Sequence, residues 1–191
     1  MDTYDQDPTE YVEGARYCLD KGDARHLAYA ALELRRFVEA RQYEYLIAQK
    51  KYRESLPKTH EISGQFRALQ RVYNQERTQI LLHQFRNGFE YEFRFAPVTE
   101  DLKNRAERMS EWLHAPKKAA DEASATAFRA FAEQTYTLAE VVNAGNLLCP
   151  ALLIGDSTVG DLIAKIPKED SEALSAQLSV GAEMLVKVRY E

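Results

Sequence analysis

The residues of this chain whose types and spacing suit catalysis are arginines followed, after a short gap, by a histidine. Three such pairs occur, with five or six residues between the partners: Arg53–His60, Arg77–His83 and Arg108–His114. A histidine titrates near neutral pH and transfers protons as a general acid or base. An arginine keeps its charge and stabilises negative charge that develops on a phosphate. Any of these pairs predicts proton-transfer chemistry on an anionic substrate, provided that its two side chains meet.

Two of the pairs have simpler interpretations. Arg53–His60 spans Pro57 and a predicted loop, so its spacing is best explained by chance. Arg77–His83 falls inside a predicted helix, where Leu82 and Phe85 flank the histidine and favour a core or surface role. Spacing alone does not choose among the three pairs, and the third has a context of its own.

The pair Arg108–His114 lies near the predicted end of a helix. Six residues of α-helix turn through about 600°, which leaves the two side chains about 120° apart. They meet if the helix ends before His114, as Pro116 permits, or if the partner comes from a second subunit. The alternative is structural: a histidine at a helix C-terminus that pairs with Glu107 or Glu111.

The composition excludes several function classes. The eight glycines form no phosphate-binding loop, and the four histidines include no His-Glu-x-x-His motif. Cys18 and Cys149 are too few for a disulfide framework and are expected to be buried in a reducing cytoplasm. A net charge of −5 argues against a broad basic surface for duplex nucleic acid. No apolar run is long enough to span a bilayer, so a cytoplasmic protein is expected.

Hydrophobic periodicity predicts a mainly helical chain. Asn87-Gly88 is interpreted as a helix C-cap, and residues 89–95 as a half-buried strand or an extended connector. After Ala144-Gly145 the chain changes to short apolar runs, and the polar segment 168–179 between two of them is interpreted as a helix. The predicted helices lie near 11–19, 24–56, 66–85, 99–115 and 121–143, and the predicted strands near 147–154, 159–166 and 184–190.

The long helix that begins at Ala24 carries a seam of charges of alternating sign. Its members are Glu33, Arg35, Arg36, Glu39 and Arg41. One interpretation is a solvated face, the usual place for charges on a helix. The other is a polar seam at a contact between helices or between subunits.

Two stretches resemble the HEPN families, small helical domains of prokaryotic toxins, abortive-infection systems and CRISPR-associated ribonucleases. Residues 30–39, AALELRRFVE, are similar to the second long helix of those domains. Residues 105–116, RAERMSEWLHAP, look like the later helix that ends in the Arg–x4–6–His motif of the family. The sequence departs from the family at Met109, where a polar residue is usual.

The resemblance implies a metal-independent endoribonuclease of a bacterial defence or toxin–antitoxin system, with no cofactor. Arg108 and His114 would be the catalytic pair, and Glu33 and Arg36 would line the substrate cleft. The histidine would exchange a proton with a ribose 2′-hydroxyl or a leaving oxygen. Such enzymes place two pairs across a dimer cleft, which implies a homodimer that binds RNA. An antitoxin or another protein of the defence system is the further partner that the resemblance implies.

The predicted fold is an antiparallel bundle of four or five helices with a small β-rich C-terminal appendage. The predicted divisions are a flexible lead at 1–9, a HEPN-like helical domain at 10–143 and the appendage at 144–191. Two functions of another class remain open. One is a catalytically inactive dimerisation or scaffold module, which Met109 and the acidic balance favour. The other is an adaptor that recognises a partner peptide by strand addition, with Val186 to Tyr190 as the edge.

Overall fold

The computed structural model describes residues 7–48, 61–71, 77–113, 122–149, 153–154, 158–159, 163–179 and 184–190. The chain divides into two compact units, a helical unit (1–76 and 98–143) and a sheet unit (77–97 and 144–191). Residues 77–97, which were predicted to belong to the helical domain 10–143, therefore cluster with the C-terminal segment.

Five helices build the helical unit: α1 (Pro8–Lys21), α2 (Ala24–Ala48), α3 (Ile62–Gln70), α4 (Glu100–Leu113) and α5 (Glu122–Asn143). The long helix α2 is central, because it contacts each of the other four. Its stretch from Phe37 to Gln42 is buried on every side, charged residues included. A helix with neighbours all round loses the polar face that a surface helix keeps.

Capping residues fix where the helices begin and end. Asp7 caps α1 by accepting a hydrogen bond from the Thr9 N–H at 2.9 Å, and Pro8 follows at the first helical position. The helix therefore starts inside the predicted flexible lead 1–9. Gly22, with φ of 68°, ends α1 in the left-handed conformation. Asp23 then accepts from the Arg25 and His26 N–H groups, both at 3.0 Å, and starts α2 as predicted.

The sheet unit is built on three antiparallel strands: β1 (Gln79–Phe85), β2 (Glu90–Phe95) and β7 (Met184–Tyr190). Their order is β2-β1-β7, so the central strand β1 lies between β2, which follows it in the chain, and β7, which comes from the C-terminal part. The described residues also form four short strands and one helix: β3 (Leu147–Cys149), β4 (Leu153–Ile154), β5 (Thr158–Val159), β6 (Ile163–Ala164) and α6 (Lys168–Ser179). β3 pairs with β6, β4 pairs with β5, and α6 precedes β7.

The predicted helix over 66–85 is wrong in its second half. Helix α3 ends at Gln70, and residues 79–85 form β1. Asn87-Gly88 is the turn of the β1–β2 hairpin, not a helix C-cap: Gly88 has φ of 86°, and its N–H donates to the Phe85 carbonyl at 2.9 Å. The apolar positions Ile80, Leu81 and Phe85 fit either period, so the pattern alone did not separate a strand from a helix.

The mainly helical class is confirmed, together with a small antiparallel sheet. The alternation of aromatic and charged residues at 89–95 does form a strand, β2, and the polar segment 168–179 is a helix. The predicted end of the long helix near Pro57 lies outside the described residues. Within the described ranges, no helix has both the length and the apolar character needed to cross a membrane.

Candidate functional site

Arg108 lies on the surface of α4 and leans on α5. Its guanidinium carbon is 4.7 Å from the centre of the Phe131 ring, a distance typical of a cation–π contact. Arg105, one turn earlier, lies 5.2 Å from the same ring and also bonds Asp101 at 3.0 Å. His114, the predicted catalytic partner of Arg108, lies outside the described residues. What the structure gives of this pair is one exposed arginine on a helix described up to Leu113.

Glu33 and Arg36, the predicted cleft residues, lie on the side of α2 that faces α1. A Cβ built on Gly14 of α1 would be 3.4 Å from Glu33 Cγ, so the glycine leaves room for this side chain. Burial raises the pKa of Glu33, and the nearby Arg36 opposes the rise. Among the described residues, no contact joins this pair to Arg108, which faces α5.

Most of the charged seam of α2 lies at contacts between helices. Arg35 pairs with Glu39 at 2.8 Å, and its guanidinium also donates to the Ser110 hydroxyl of α4. Glu39 is buried. The interpretation of the seam as a solvated face is therefore wrong for these residues, although Arg36 is exposed as that interpretation required.

Arg41 is the most deeply buried arginine described, with 2 % of its surface exposed. It donates to Glu44 Oε2 at 3.0 Å and to both the carbonyl and the side-chain oxygen of Asn143 at 3.1 Å. Thr9 of α1 donates to the same Asn143 side chain at 3.3 Å. A cation at the C-terminus of α5 complements the helix dipole and satisfies a terminal carbonyl. This cluster joins three helices, and no local spacing in the sequence signals it.

The described residues hold no group of three or more histidine, cysteine or acidic side chains suited to a metal ion. Cys18 and Cys149 are buried free thiols, as predicted. His83 lies on β1 rather than in a helix, with its ring 4.8 Å from Phe93 in an edge-to-face contact. Burial lowers its pKa.

A surface groove of about 380 Å³ lies on the helical unit, between α1 and α5. Its polar side chains interact with one another at i, i+4 spacing, and the two arginines of the lining face three carboxylates, which leaves the groove with one negative charge in excess. The pairs are Arg16–Asp20 at 3.3 Å, Arg129–Glu133 at 3.3 Å and Tyr136–Glu140 at 2.7 Å.

The three-stranded sheet has two chemically different faces. Residues that are directly opposite in an antiparallel pair point to the same side, so the register assigns each side chain to a face. We call them the aromatic face (Leu81, His83, Phe85, Tyr91, Phe93, Phe95, Val186, Val188, Tyr190) and the charged face (Ile80, Leu82, Gln84, Glu90, Glu92, Arg94, Leu185, Lys187, Arg189). The aromatic face is buried on β1 and β2 at Leu81, Phe85, Phe93 and Phe95, whereas its β7 residues are exposed.

The outer edge of β2 is closed by the segment that follows α5. The Asn146 side chain accepts from the Arg94 N–H at 2.8 Å and donates to the Glu92 carbonyl at 3.1 Å. Its amide thus takes the place that the backbone of a fourth strand would occupy. Gly145 packs so closely that a Cβ there would be 3.1 Å from the Arg94 carbonyl oxygen.

Among the described residues, no strand pairs with the outer edge of β7. The Phe85 N–H donates to the Phe89 carbonyl at 2.8 Å, so the odd-numbered residues of β1 bond towards β2 and the even-numbered ones towards β7. In β7, residues 185, 187 and 189 oppose those even positions and bond inward. The backbone N–H and C=O groups of Val186 and Val188 consequently point away from the sheet, as on any edge strand.

Exposed apolar side chains are concentrated on this strand. Of the nine large hydrophobic side chains exposed among the described residues, four belong to β7: Leu185 at 56 %, Val186 at 42 %, Val188 at 53 % and Tyr190 at 62 %. The edge therefore combines outward-pointing backbone groups with uncovered side chains on both faces.

Comparison with known proteins found no matching family model, curated protein or solved structure.

Proposed function

We propose that this protein is an interaction module that binds an extended segment of a partner protein along the open edge of β7. The observation that carries the proposal is the exposure of Val186, Val188 and Tyr190 beside backbone groups that point out of the sheet. Strand addition uses these two features together, since main-chain hydrogen bonds provide affinity and alternate side chains provide specificity.

The physical argument is that an open apolar edge carries a cost unless something covers it. Proteins normally protect edge strands with charged side chains, bulges, prolines, or a covering helix or loop, because exposed edges promote aggregation. This sheet protects one edge in that way, through Asn146 on β2. β7 carries Lys187 and Arg189, but its Val186, Val188 and Tyr190 side chains remain exposed. The contrast within a single sheet supports a binding role for the other edge.

A single-residue substitution separates edge binding from folding. Val188→Pro removes an N–H that points outward and leaves the bonds between β1 and β7 in place, a position where proline is tolerated. Val188→Thr is the matched control, because threonine keeps both the N–H and the β-branched shape. Peptides selected on the wild-type protein from a random displayed library should bind Val188→Thr and lose binding to Val188→Pro.

Amide hydrogen exchange checks the mode of binding. A bound peptide should slow exchange at Val186 and Val188, whose N–H groups point outward. Melting temperatures of the two variants close to that of the wild type would show that the fold is retained. Equal binding to Val188→Pro and Val188→Thr would contradict strand addition.

A second proposal is the HEPN-like endoribonuclease with Arg108 and His114 as its catalytic pair, acting as a homodimer of an antiparallel helical bundle in bacterial defence. The observation in its favour is that the Arg108 guanidinium is exposed, donates no hydrogen bond to a described residue, and lies on the helix that leads to His114 in sequence. Such a group is available to an RNA phosphate. Glu33 and Arg36, which face α1, would then line the cleft through the arrangement of the dimer.

The test is cleavage of RNA by the purified protein in the presence of EDTA. Cleavage should persist in EDTA and should be lost in both Arg108→Ala and His114→Ala. Arg67→Ala, which removes an exposed arginine of α3, should cleave like the wild type. Cleavage that survives both substitutions would assign it to another site or to contamination.

A further inference from the structure

We infer that Trp112 and Arg108 bind unpaired RNA, with a base stacked on the indole ring and a phosphate held by the guanidinium. The inference rests on the second proposed function, the endoribonuclease, for its choice of RNA as the ligand. It deepens that function by naming a residue that binds a base. The side chains that carry it lie on α4 and α5 of the helical unit.

The indole ring of Trp112 is supported on one face and exposed elsewhere. It stacks on the Phe128 ring of α5, with a centroid distance of 4.2 Å and an interplanar angle of 19°. Phe128 is itself buried, so the indole lies on a fixed support. Trp112 is nevertheless 37 % exposed. An aromatic ring held in this way can stack with a base of any type, because every base has a π-face.

Arg108 lies one turn before Trp112, on the same side of α4, because residues four apart are neighbours on a helix surface. Its guanidinium lies over the Phe131 ring of α5. The adjacent acidic residue, Glu107, pairs with Lys103 at 3.3 Å. Among the described residues, no carboxylate pairs with Arg108, so its N–H donors are available to a phosphate.

The two groups are spaced for a base and a neighbouring phosphate. Four residues of α-helix rise about 6 Å, which sets the distance between Trp112 and Arg108 along the axis. Arg105 continues the line one turn further, 5.2 Å from the Phe131 ring, although it shares its charge with Asp101. A stacking ring followed by cations is the arrangement with which proteins bind single strands.

The surroundings of the ring favour RNA over a protein partner. Trp112 is the one large hydrophobic side chain that is exposed on the described part of α4, and arginines follow it along the helix. It therefore has no exposed apolar neighbour on α4, whereas sites for proteins are usually contiguous apolar patches. A stacking site also requires a base that has left its pair, so the RNA must be single-stranded here.

Binding of octauridylate RNA to the full-length protein tests the inference. Every protein in the test carries His114→Ala, so that the RNA stays intact. Trp112 is the only tryptophan of the chain, and its fluorescence should be quenched when unlabelled octauridylate is added. Fluorescence anisotropy of fluorescein-labelled octauridylate then compares the variants. A blunt G·C-rich RNA duplex should bind at least about tenfold more weakly.

The two residues should contribute in different ways. Trp112→Leu should weaken binding about tenfold with an unchanged salt dependence, whereas Trp112→Phe should keep most of the affinity. Arg108→Ala should reduce the slope of log affinity against log salt by about 0.7, because one phosphate contact is lost. Tyr29→Leu, which removes an exposed ring of α2, is the control and should bind as tightly as the His114→Ala protein.

The outcomes separate the inference from the function on which it rests. Cleavage that needs Arg108 and His114, with equal RNA binding by Trp112→Leu, would overturn the inference and leave the endoribonuclease standing. Binding that needs Trp112 and Arg108, in a chain whose wild type cleaves no RNA, would support the site and contradict the endoribonuclease. Absence of quenching would overturn the inference whether or not Trp112→Leu folds, and equal affinity for the duplex would overturn the selection of unpaired RNA.

Discussion

Gln42 shows, at the scale of a single residue, how a buried polar group affects stability. Its side chain is fully buried in α2, and neither its amide nitrogen nor its amide oxygen has a hydrogen-bond partner among the described residues. A buried amide without a partner costs about 1–3 kcal/mol of stability. Glutamine also brings no compensating gain here, because methionine, an apolar residue of the same length, has a similar helix propensity.

Gln42→Met should therefore stabilise the protein, because methionine fills the same volume without a polar group to desolvate. We expect the free energy of unfolding to rise by about 1–2 kcal/mol, and the melting temperature by about 2–4 °C for each kcal/mol. Gln70→Met, at an exposed position of α3, is the control and should change little. A lower melting temperature for Gln42→Met would show that the amide is hydrogen-bonded in solution.

His83 is expected to make stability depend on pH. Burial lowers its pKa in the folded protein, so the unfolded chain takes up a proton first as the pH falls below about 6.5. The contribution of the neutral His83 imidazole to the free energy of unfolding is therefore fully present above that pH. This contribution is lost as the pH falls towards the pKa of His83 in the folded protein. In melting curves between pH 5 and 7.5, the wild type should lose more stability than His83→Gln. His26→Gln, which changes a histidine on the helical unit, serves as the comparison, and parallel curves for wild type and His83→Gln would contradict the prediction.

At the scale of elements, the two edges of one sheet have opposite treatments. The side-chain amide of Asn146 makes two hydrogen bonds to the backbone of β2 and so closes that edge. Tyr91, also on β2, has its pKa raised by burial and by the nearby Asp170. In the part of the chain that the structure describes, no side chain covers the outward side of β7 as Asn146 covers β2. A side chain that imitates a peptide group is enough to end a sheet, because a ladder propagates through its backbone donors and acceptors.

Asn146→Ala should open the second edge. We expect a loss of about 1–3 kcal/mol in the free energy of unfolding, since two backbone groups lose their partner. We also expect association of β2 of one copy with β7 of the next, because the outward-pointing N–H and C=O groups of the two edges then pair. Size-exclusion chromatography with light scattering measures this association.

The control for that association is the double variant Asn146→Ala, Val188→Pro, in which the β7 edge is blocked and the protein should keep the wild-type oligomeric state. Asn104→Ala, on the exposed side of α4, controls for loss of an asparagine in general. If Asn146→Ala alone keeps the wild-type oligomeric state, β2 is covered by more than this one amide.

At the scale of the whole molecule, the chain passes between its two units three times. The hairpin β1–β2 is inserted in sequence between α3 and α4, yet it pairs with the C-terminal strand β7. A truncation at the end of α5 therefore removes only the second part of the sheet unit, residues 144–191, and keeps the first part, residues 77–97. It removes Asn146 and β7 and leaves the hairpin without either neighbour, and an isolated hairpin is marginal in water.

A chain ending at Asn143 should keep most of its helical circular dichroism but bind a hydrophobic dye and aggregate. Its exposed surface would be the aromatic face of the hairpin, including Phe85, Phe93 and Phe95. Replacing residues 77–97 with a glycine-serine linker in the same truncated chain should restore solubility, because it removes that face. Loss of helical signal in the linker variant would show instead that the helical unit depends on the sheet unit.

The sequence by itself determined the helical class and most helix positions, because these follow from a period of 3.6 within a short window. For residues 89–95 it gave two interpretations, a half-buried strand and an extended connector, and the first is correct. It also indicated Val186 to Tyr190 as a candidate edge, from the alternation of valine with lysine and arginine. The position of Arg108 on a helix that leads to His114 was likewise a local inference.

Only the tertiary structure decided which of these segments meet and which remain uncovered. Residues 79–85 are a strand because β2 and β7 pair with them on either side, although their apolar pattern also suits a helix. Arg41 is buried because four helices surround α2. Asn146 lies along the outer edge of β2, and among the described residues no segment lies along the outer edge of β7. Each of these outcomes depends on contacts between residues far apart in the chain, and local periodicity carries no information about such contacts.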